Sequence, residues 1–377
     1  MQQNILMSDE TLFRDCSIFD GEHTPEQFRF RDTQLSRIAE NIRPAFHGAR
    51  PLNMILRGPP GTGKTTSVKQ VFGEIEGTTR KIIPVLVNCR RNQTEYRVFR
   101  RIYEAVFHQK PPVSGVCVQS LTETLCGELS ARGAVLLICL DDANFIFHDN
   151  LLEKVLGTLL RLYEEYPGIR TGIIVTVSNI DIPVAGLLSP SVVSVFQPNE
   201  IYFPPYGEGE VRAILRDRVR AGLYPDVVSP EILDSIVTET MRCSDLRMGI
   251  ALANRSVLRA ESAGRRSVSA ADVVASVQEA ENQHLKSIVR TLREDERNML
   301  GAIGTLYQQT GEEMISGDLY RALQPQVPMC YTLFFERLEK FRNLGLIKTY
   351  RPPKRGNTRR IVLQYGSGRV RDVCSAR

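Results

Sequence analysis

The sequence predicts an α/β protein: a parallel-sheet core, then an all-helical segment, then a C-terminal winged helix. Three observations predict it. Apolar runs bounded by turn residues alternate with helical patterns over the first two hundred residues, as βαβ units require. The pattern from Pro204 to about Asn282 is helical only. The last ninety residues read as three helices followed by two short strands around a basic tip. The expected divisions are 1–203, 204–285 and 286–377.

At 377 residues the chain has room for several domains with cores of their own. Its formal charge of +5 is mild, so any polyanion site has to come from local clustering. Eight cysteines stand at 16, 89, 117, 126, 139, 243, 330 and 374, with no CxxC pair and no clustering with the five histidines. That spacing argues against structural zinc and for reduced thiols in a cytosol. The N-terminus lacks an apolar signal core, and the run Ala134–Leu140 is far too short to cross a bilayer. A cytoplasmic protein without membrane contact is expected.

In the first part, Leu52–Leu56 reads as a buried strand and Thr65–Phe72 as a helix. Between them "GPPGTGKTT" fits G-x-x-x-x-G-K-[ST] without mismatch. Gly58, Pro59, Pro60, Gly61, Thr62, Gly63, Lys64, Thr65 and Thr66 form a loop whose N–H groups can approach the phosphates of ATP or ADP. Lys64 reaches the terminal phosphates and Thr65 supplies a hydroxyl for Mg²⁺. The strand "AVLLICLDDAN" ends in Asp141, suited to organising Mg²⁺, and Asp142, suited to activating water. "TGIIVTVSN" ends in Asn179, placed to orient that water. All three motifs fall at carboxyl ends of strands, where parallel sheets bind ligands.

With "SDLRMGIAL" further on, the order of these motifs resembles that of an AAA+ ATPase. More narrowly, "PEQFRFRDTQLSRIAENIRPA", "VLVNCRRNQTEYRVFRRI" and "IYFPPYGEGEVRAIL" resemble the archaeal replication initiators of the origin-recognition and cell-division-control type, relatives of the eukaryotic origin recognition complex. The resemblance implies an AAA+ core, a helical lid and a winged-helix DNA-binding domain. It implies ATP with Mg²⁺ at Lys64, Thr65 and Asp141, a first sensor at Asn179, and a second at Arg247, a lid arginine that touches the γ-phosphate. It also implies origin duplex DNA, a replicative helicase and paralogous initiators as partners.

Two departures bear on hydrolysis. Asp142 stands where that family usually has Glu, and a carboxylate retracted by about 1 Å can cost roughly 100-fold in rate. The box resembling "LDPRV" reads "LSPSV", so Ser191 replaces the arginine offered to a neighbouring subunit, and no Lys or Arg occurs from Thr171 to Val211. Such an arginine is worth about 10³–10⁵ in turnover.

The lid segments "EVRAILRDRVRAG" and "PEILDSIVTETMR" carry apolar residues at helical spacing, and Ser269 is placed to cap "AADVVASVQEA". In the last part, "EDERNMLGAIGTLYQQ", "SGDLYRALQ" and "YTLFFERLEKFRNLGLI" read as helices, the third ending at Gly345. "LIKTY" and "RRIVLQY" flank the tip "RPPKRGNT". Lys348, Arg351, Lys354, Arg355, Arg359 and Arg360 make this a basic wing suited to phosphate contacts, while Tyr331, Thr332 and Arg337 are the candidates for base contact on the third helix.

Two readings follow: an ATP-dependent replication initiator that holds its nucleotide as a switch and helps recruit the helicase, or a nucleotide-responsive DNA-binding regulator without loader activity. Both predict slow turnover. Steady-state hydrolysis measured with and without duplex DNA is expected well below one ATP per second; several per second would contradict the reading of Asp142 and Ser191.

Overall fold

The computed structural model describes residues 11–21, 23–25, 28–112, 117–179, 182–311, 314–350 and 359–375. They divide into two compact units, Met1–Val268 and Ser269–Arg377.

In the first unit, helix α1 (Asp32–Phe46) leads into strand β1 (Met54–Arg57) and helix α2 (Lys64–Thr78). Strand β2 (Ile82–Asn88), helices α3 (Glu95–Phe107) and α4 (Val118–Arg132), and strand β3 (Val135–Asp141) follow. Helices α5 (Leu151–Leu160) and α6 (Leu162–Glu165) precede strand β4 (Arg170–Val177). Helix α7 (Pro190–Phe196) and strand β5 (Asn199–Tyr202) complete the sheet region. Three helices close the unit: α8 (Glu208–Gly222), α9 (Pro230–Cys243) and α10 (Leu246–Ser262).

The five strands are parallel in the order β2-β3-β4-β1-β5. Both faces are covered. Leu136, Ile138 and Leu140 of β3 pack into one apolar cluster with Ile173 and Val175 of β4. Val135, Leu137 and Cys139 pack into a second, with Met54, Leu56 and Val68. This double burial is why β3 reads as an unbroken apolar run with no alternation of polar residues.

Two boundaries differ from expectation. β1 begins at Met54 because Leu52 is half exposed and hydrogen-bonds outside the sheet, its N–H to Asn41 O. α2 continues through Gly73 and Gly77 to Thr78, carried by the buried face of Val68, Val71, Phe72 and Ile75.

The second unit opens with α11 (Ala270–Thr291), a helix that runs through residue 285, the expected edge of the lid. Helices α12 (Glu294–Thr310), α13 (Ser316–Leu323) and α14 (Tyr331–Asn343) enclose a core of Met299, Ile303, Leu319, Phe334, Leu338 and Phe341. α14 ends at Asn343, with Leu344 as its cap and Gly345 just beyond at a φ of +70° that ends the helix. Strands β6 (Ile347–Tyr350) and β7 (Arg360–Leu363) form the antiparallel pair expected of a wing. A single bridge between Ile315 and Arg360 ties β7 to the start of α13.

The sequence reading did not foresee α15 (Ser367–Ser375), which packs along α12. Gly304 permits the contact. A Cβ there would lie 2.9 Å from Ser367 O and 3.1 Å from Arg371 N, both backbone atoms that cannot swing aside. Gly304→Ala is therefore expected to destabilise this unit by about 1–3 kcal/mol through overpacking. The check is the urea midpoint of its unfolding, which should fall with little change in slope.

Candidate nucleotide and DNA sites

The sheet order places β4 between β1 and β3, so the loop after β1 and the carboxylates after β3 meet across the end of β4. The loop opens at Gly58. A Cβ at that position would stand 2.3 Å from Phe203 O, so only glycine lets the loop leave the sheet there. Gly63, at φ +90°, caps α2, whose first turn holds Lys64, Thr65 and Thr66. Lys64 is buried, and its ammonium donates to Gly58 O at 2.7 Å and Pro59 O at 2.8 Å. Burial pulls it down to about 8; Asp142 opposes the shift and Arg247 adds to it.

Asp141 is buried at the end of β3 and collects two hydroxyls. Thr65 Oγ1 donates to its carboxylate at 2.9 Å and Thr176 Oγ1 at 2.8 Å. Burial nevertheless raises the Asp141 pKa, because two neutral donors do not replace its hydration. A cation would. Thr65 and Asp141 are hard oxygen donors in mutual contact, which fits Mg²⁺ completed by phosphate oxygens and water. Among the described residues there is no cluster of three or more His, Cys, Asp or Glu for an all-protein metal cage.

Asp142 follows in the left-handed region at φ 54°, where Asp is tolerated better than most residues. Its N–H donates to Thr176 Oγ1 at 2.8 Å, and its carboxylate accepts from Ser178 Oγ at 3.3 Å. The turn thus points Asp142 into the cleft while Asp141 stays beneath. Asn179 lies one residue beyond Ser178 and is exposed; Ser178, Asp141 and Asp142 line the cleft.

The cleft has a volume of about 1290 Å³ and also takes in Arg247 of α10 and the N-terminal stretch around Ile18 and His23. The structure therefore brings Lys64, Thr65, Asp141, Asp142 and Arg247 together, from the loop, the sheet edge and the lid. Ser191 is exposed in the first turn of α7. Arg161 Nη2 donates to its carbonyl at 3.3 Å, so a guanidinium remote in sequence stands beside the position where the resemblance expects one.

One residue was missed. Arg31 is buried, with Nε on Thr62 O at 2.9 Å, Nη2 on Pro204 O at 2.7 Å and Nη1 on Phe30 O at 2.7 Å. Its guanidinium lies 3.7 Å from the centre of the Tyr206 ring. It ties the phosphate loop to the strand-to-lid connection. Nothing in "FRFRDTQ" separates it from the neighbouring arginine, because its partners are backbone carbonyls from distant segments.

In the second unit, Tyr331 and Thr332 are exposed at the start of α14, as base contact requires. Arg337 is not available. It is buried and ion-paired with Asp295, while Lys340 holds Glu296 at 2.7 Å and Arg342 pairs with Glu339. On the wing, Lys348 is exposed, Arg360 is exposed at the start of β7, and Arg359 sits 3.5 Å from Glu339. Arg351, Lys354 and Arg355 lie outside the described residues. No described helix is long and apolar enough to cross a membrane.

Residues 27–165 match the family described as AAA ATPase domain. The chain is 36% identical over 371 residues to ORC1-type DNA replication protein 6 of Halobacterium salinarum, covering 98% of each. In fold it is similar to the Aeropyrum pernix ORC1 protein solved in complex with DNA, at TM-score 0.76 and 24% identity, with 98% of each chain covered. It is also similar to the Aeropyrum pernix ORC2 protein solved in ADPNP-ADP complexes, at TM-score 0.69 and 23% identity, covering 96% of this chain and 97% of that one.

The three diverging carbonyls around Arg31 suit a planar fork and not an ammonium. Arg31→Lys is expected to lose at least one charge-assisted bond, about 1.5–3 kcal/mol. Thermal unfolding and ADP affinity should both report it, since the same bonds hold the phosphate loop.

Proposed function

We infer the function from one premise: the chain belongs to the family of ORC1-type DNA replication proteins. It acts as a replication initiator that binds ATP in the cleft between sheet edge and lid, binds origin duplex DNA through its winged helix, and helps recruit the replicative helicase. The observation that carries the nucleotide part is the meeting of Lys64, Thr65, Asp141, Asp142 and Arg247 in one cleft. The relative solved with DNA and the one solved with ADPNP and ADP support the same reading.

Each residue has a task in that reading. Lys64 exchanges two carbonyl partners for phosphate oxygens, at little cost in hydrogen bonds. Thr65 and Asp141 hold Mg²⁺, which when bound offsets the charge of the phosphates. Asp142 polarises water, with Ser178 fixing its carboxylate. Arg247 reports the terminal phosphate from the lid. Hydrolysis is slow because Asp142 is short and Ser191 offers no guanidinium from its own side chain. The protein thus keeps its nucleotide for long periods and behaves as a switch.

Ser191 also favours the second reading, a nucleotide-responsive regulator, since it weakens assembly with a neighbouring subunit. Genome-wide occupancy in growing cells separates the two. A few sharp sites at peaks of replication-dependent copy number establish the initiator; scattered promoter sites establish the regulator.

DNA contact is assigned to the wing and to the start of α14. If about four phosphates are neutralised, log K falls with log salt at a slope of roughly −3.6. Replacing Lys348, Lys354, Arg355 and Arg360 by Ala is expected to flatten that slope. An unchanged slope removes the wing from the interface.

A further inference from the structure

One carboxylate of the "SDLR" stretch has no role in the site described above. Asp245 closes the turn between α9 and α10 and caps α10, its Oδ1 accepting the Arg247 backbone N–H at 3.0 Å. The same carboxylate also takes the Arg247 side chain: Nε donates to Oδ1 at 3.2 Å and Nη2 to Oδ2 at 3.2 Å. This is a side-on fork. It occupies two of the three guanidinium nitrogens and leaves Nη1 on the opposite edge.

Asp245 stands against the phosphate loop. A Cβ built on Gly61 would lie 2.1 Å from Asp245 Oδ1 and 3.1 Å from Leu246 N, so the glycine is what allows the approach. Gly61 has φ +73°, a second reason for glycine there. Arg247 lines the cleft, with a side chain 62% exposed, whereas that of Asp245 is 24% exposed. The carboxylate is wedged behind the arginine, between it and the loop.

We propose that Asp245 is a positioning residue that braces the Arg247 guanidinium over the phosphate loop, with its outer edge turned to the terminal phosphate, and so sets the preference for ATP over ADP. The proposal rests on the reading of Arg247 as the γ-phosphate sensor. An exposed arginine on a flexible stem spreads over many rotamers and loses that freedom on binding. A brace fixed beforehand by the helix cap removes most of that cost, and the loss falls only on a ligand that reaches the guanidinium. A further carboxylate beside the phosphate site, added to Asp141 and Asp142, would otherwise weaken anion binding, and here its charge is matched by Arg247 itself.

The test measures dissociation constants for ATP and ADP on the full chain by calorimetry. Wild type is compared with Asp245→Asn, Arg247→Ala and the double variant. Asn still caps a helix but lacks the charge that holds the fork. Asp245→Asn is expected to lower the ATP preference about ten-fold, the worth of one charge-assisted hydrogen bond. ADP affinity should stay within about two-fold on the same ground, because ADP does not reach the guanidinium, and the double variant should add nothing to Arg247→Ala. Asp245→Ser, another capping residue with no hold on a guanidinium, should give the same loss. Equal weakening of ATP and ADP would reduce Asp245 to a shaper of the loop and overturn the brace. Full discrimination in both Asp245 variants, with loss in Arg247→Ala, would overturn it as well. No effect in Arg247→Ala would remove the sensor reading itself, and the proposal with it.

Discussion

The nucleotide-binding unit depends on the buried carboxylate of Asp141. It sits at the end of the apolar strand β3, takes hydroxyl hydrogen bonds from Thr65 of α2 and Thr176 of β4, and thereby joins three neighbouring elements at one point. Because Thr176 in turn accepts the Asp142 N–H, the left-handed turn that presents Asp142 is fixed by the same node. A charged group is costly to bury unless it is paired. The site therefore carries a standing deficit of positive charge, which a nucleotide-bound cation would relieve. Structure and chemistry share the same atoms.

Much of this was legible in the sequence. The phosphate loop, the paired aspartates and the lid arginine are each written as short contiguous motifs, and their order implied a common cleft. β3 was legible because burial on both faces makes it uniformly apolar. Two things were not legible, for physical reasons. Arg31 acts through backbone carbonyls of Phe30, Thr62 and Pro204, and carbonyls leave no mark in a sequence. α15 is short and only weakly patterned, and its existence rests on the groove that Gly304 opens in α12.

The winged helix shows the opposite limit. Tyr331, Thr332 and Arg337 were the candidates for base contact on α14, but Arg337 is engaged by an acid of the same unit, as are Lys340 and Arg342. Asp295 and Glu296 stand in the first turn of α12, where negative charge also suits the helix N-terminus. Arg337 and Lys340 thus hold α12 and α14 together, while Arg342 is paired within α14. What remains exposed at the start of α14 is Tyr331 and Thr332, groups that touch base edges or methyls and do little to attract a duplex from a distance.

Lys64 carries a kinetic consequence. Its ammonium is held by Gly58 O and Pro59 O, so the loop's curvature is fixed by the chain's own hydrogen bonds. A cradle shaped in advance imposes no folding step on the arriving phosphates. In the proposed switch, capture would then be governed by diffusion and by access past the N-terminal stretch, and the lifetime of the bound state would fall to whatever opens the lid. A switch of that kind would be timed by its exit.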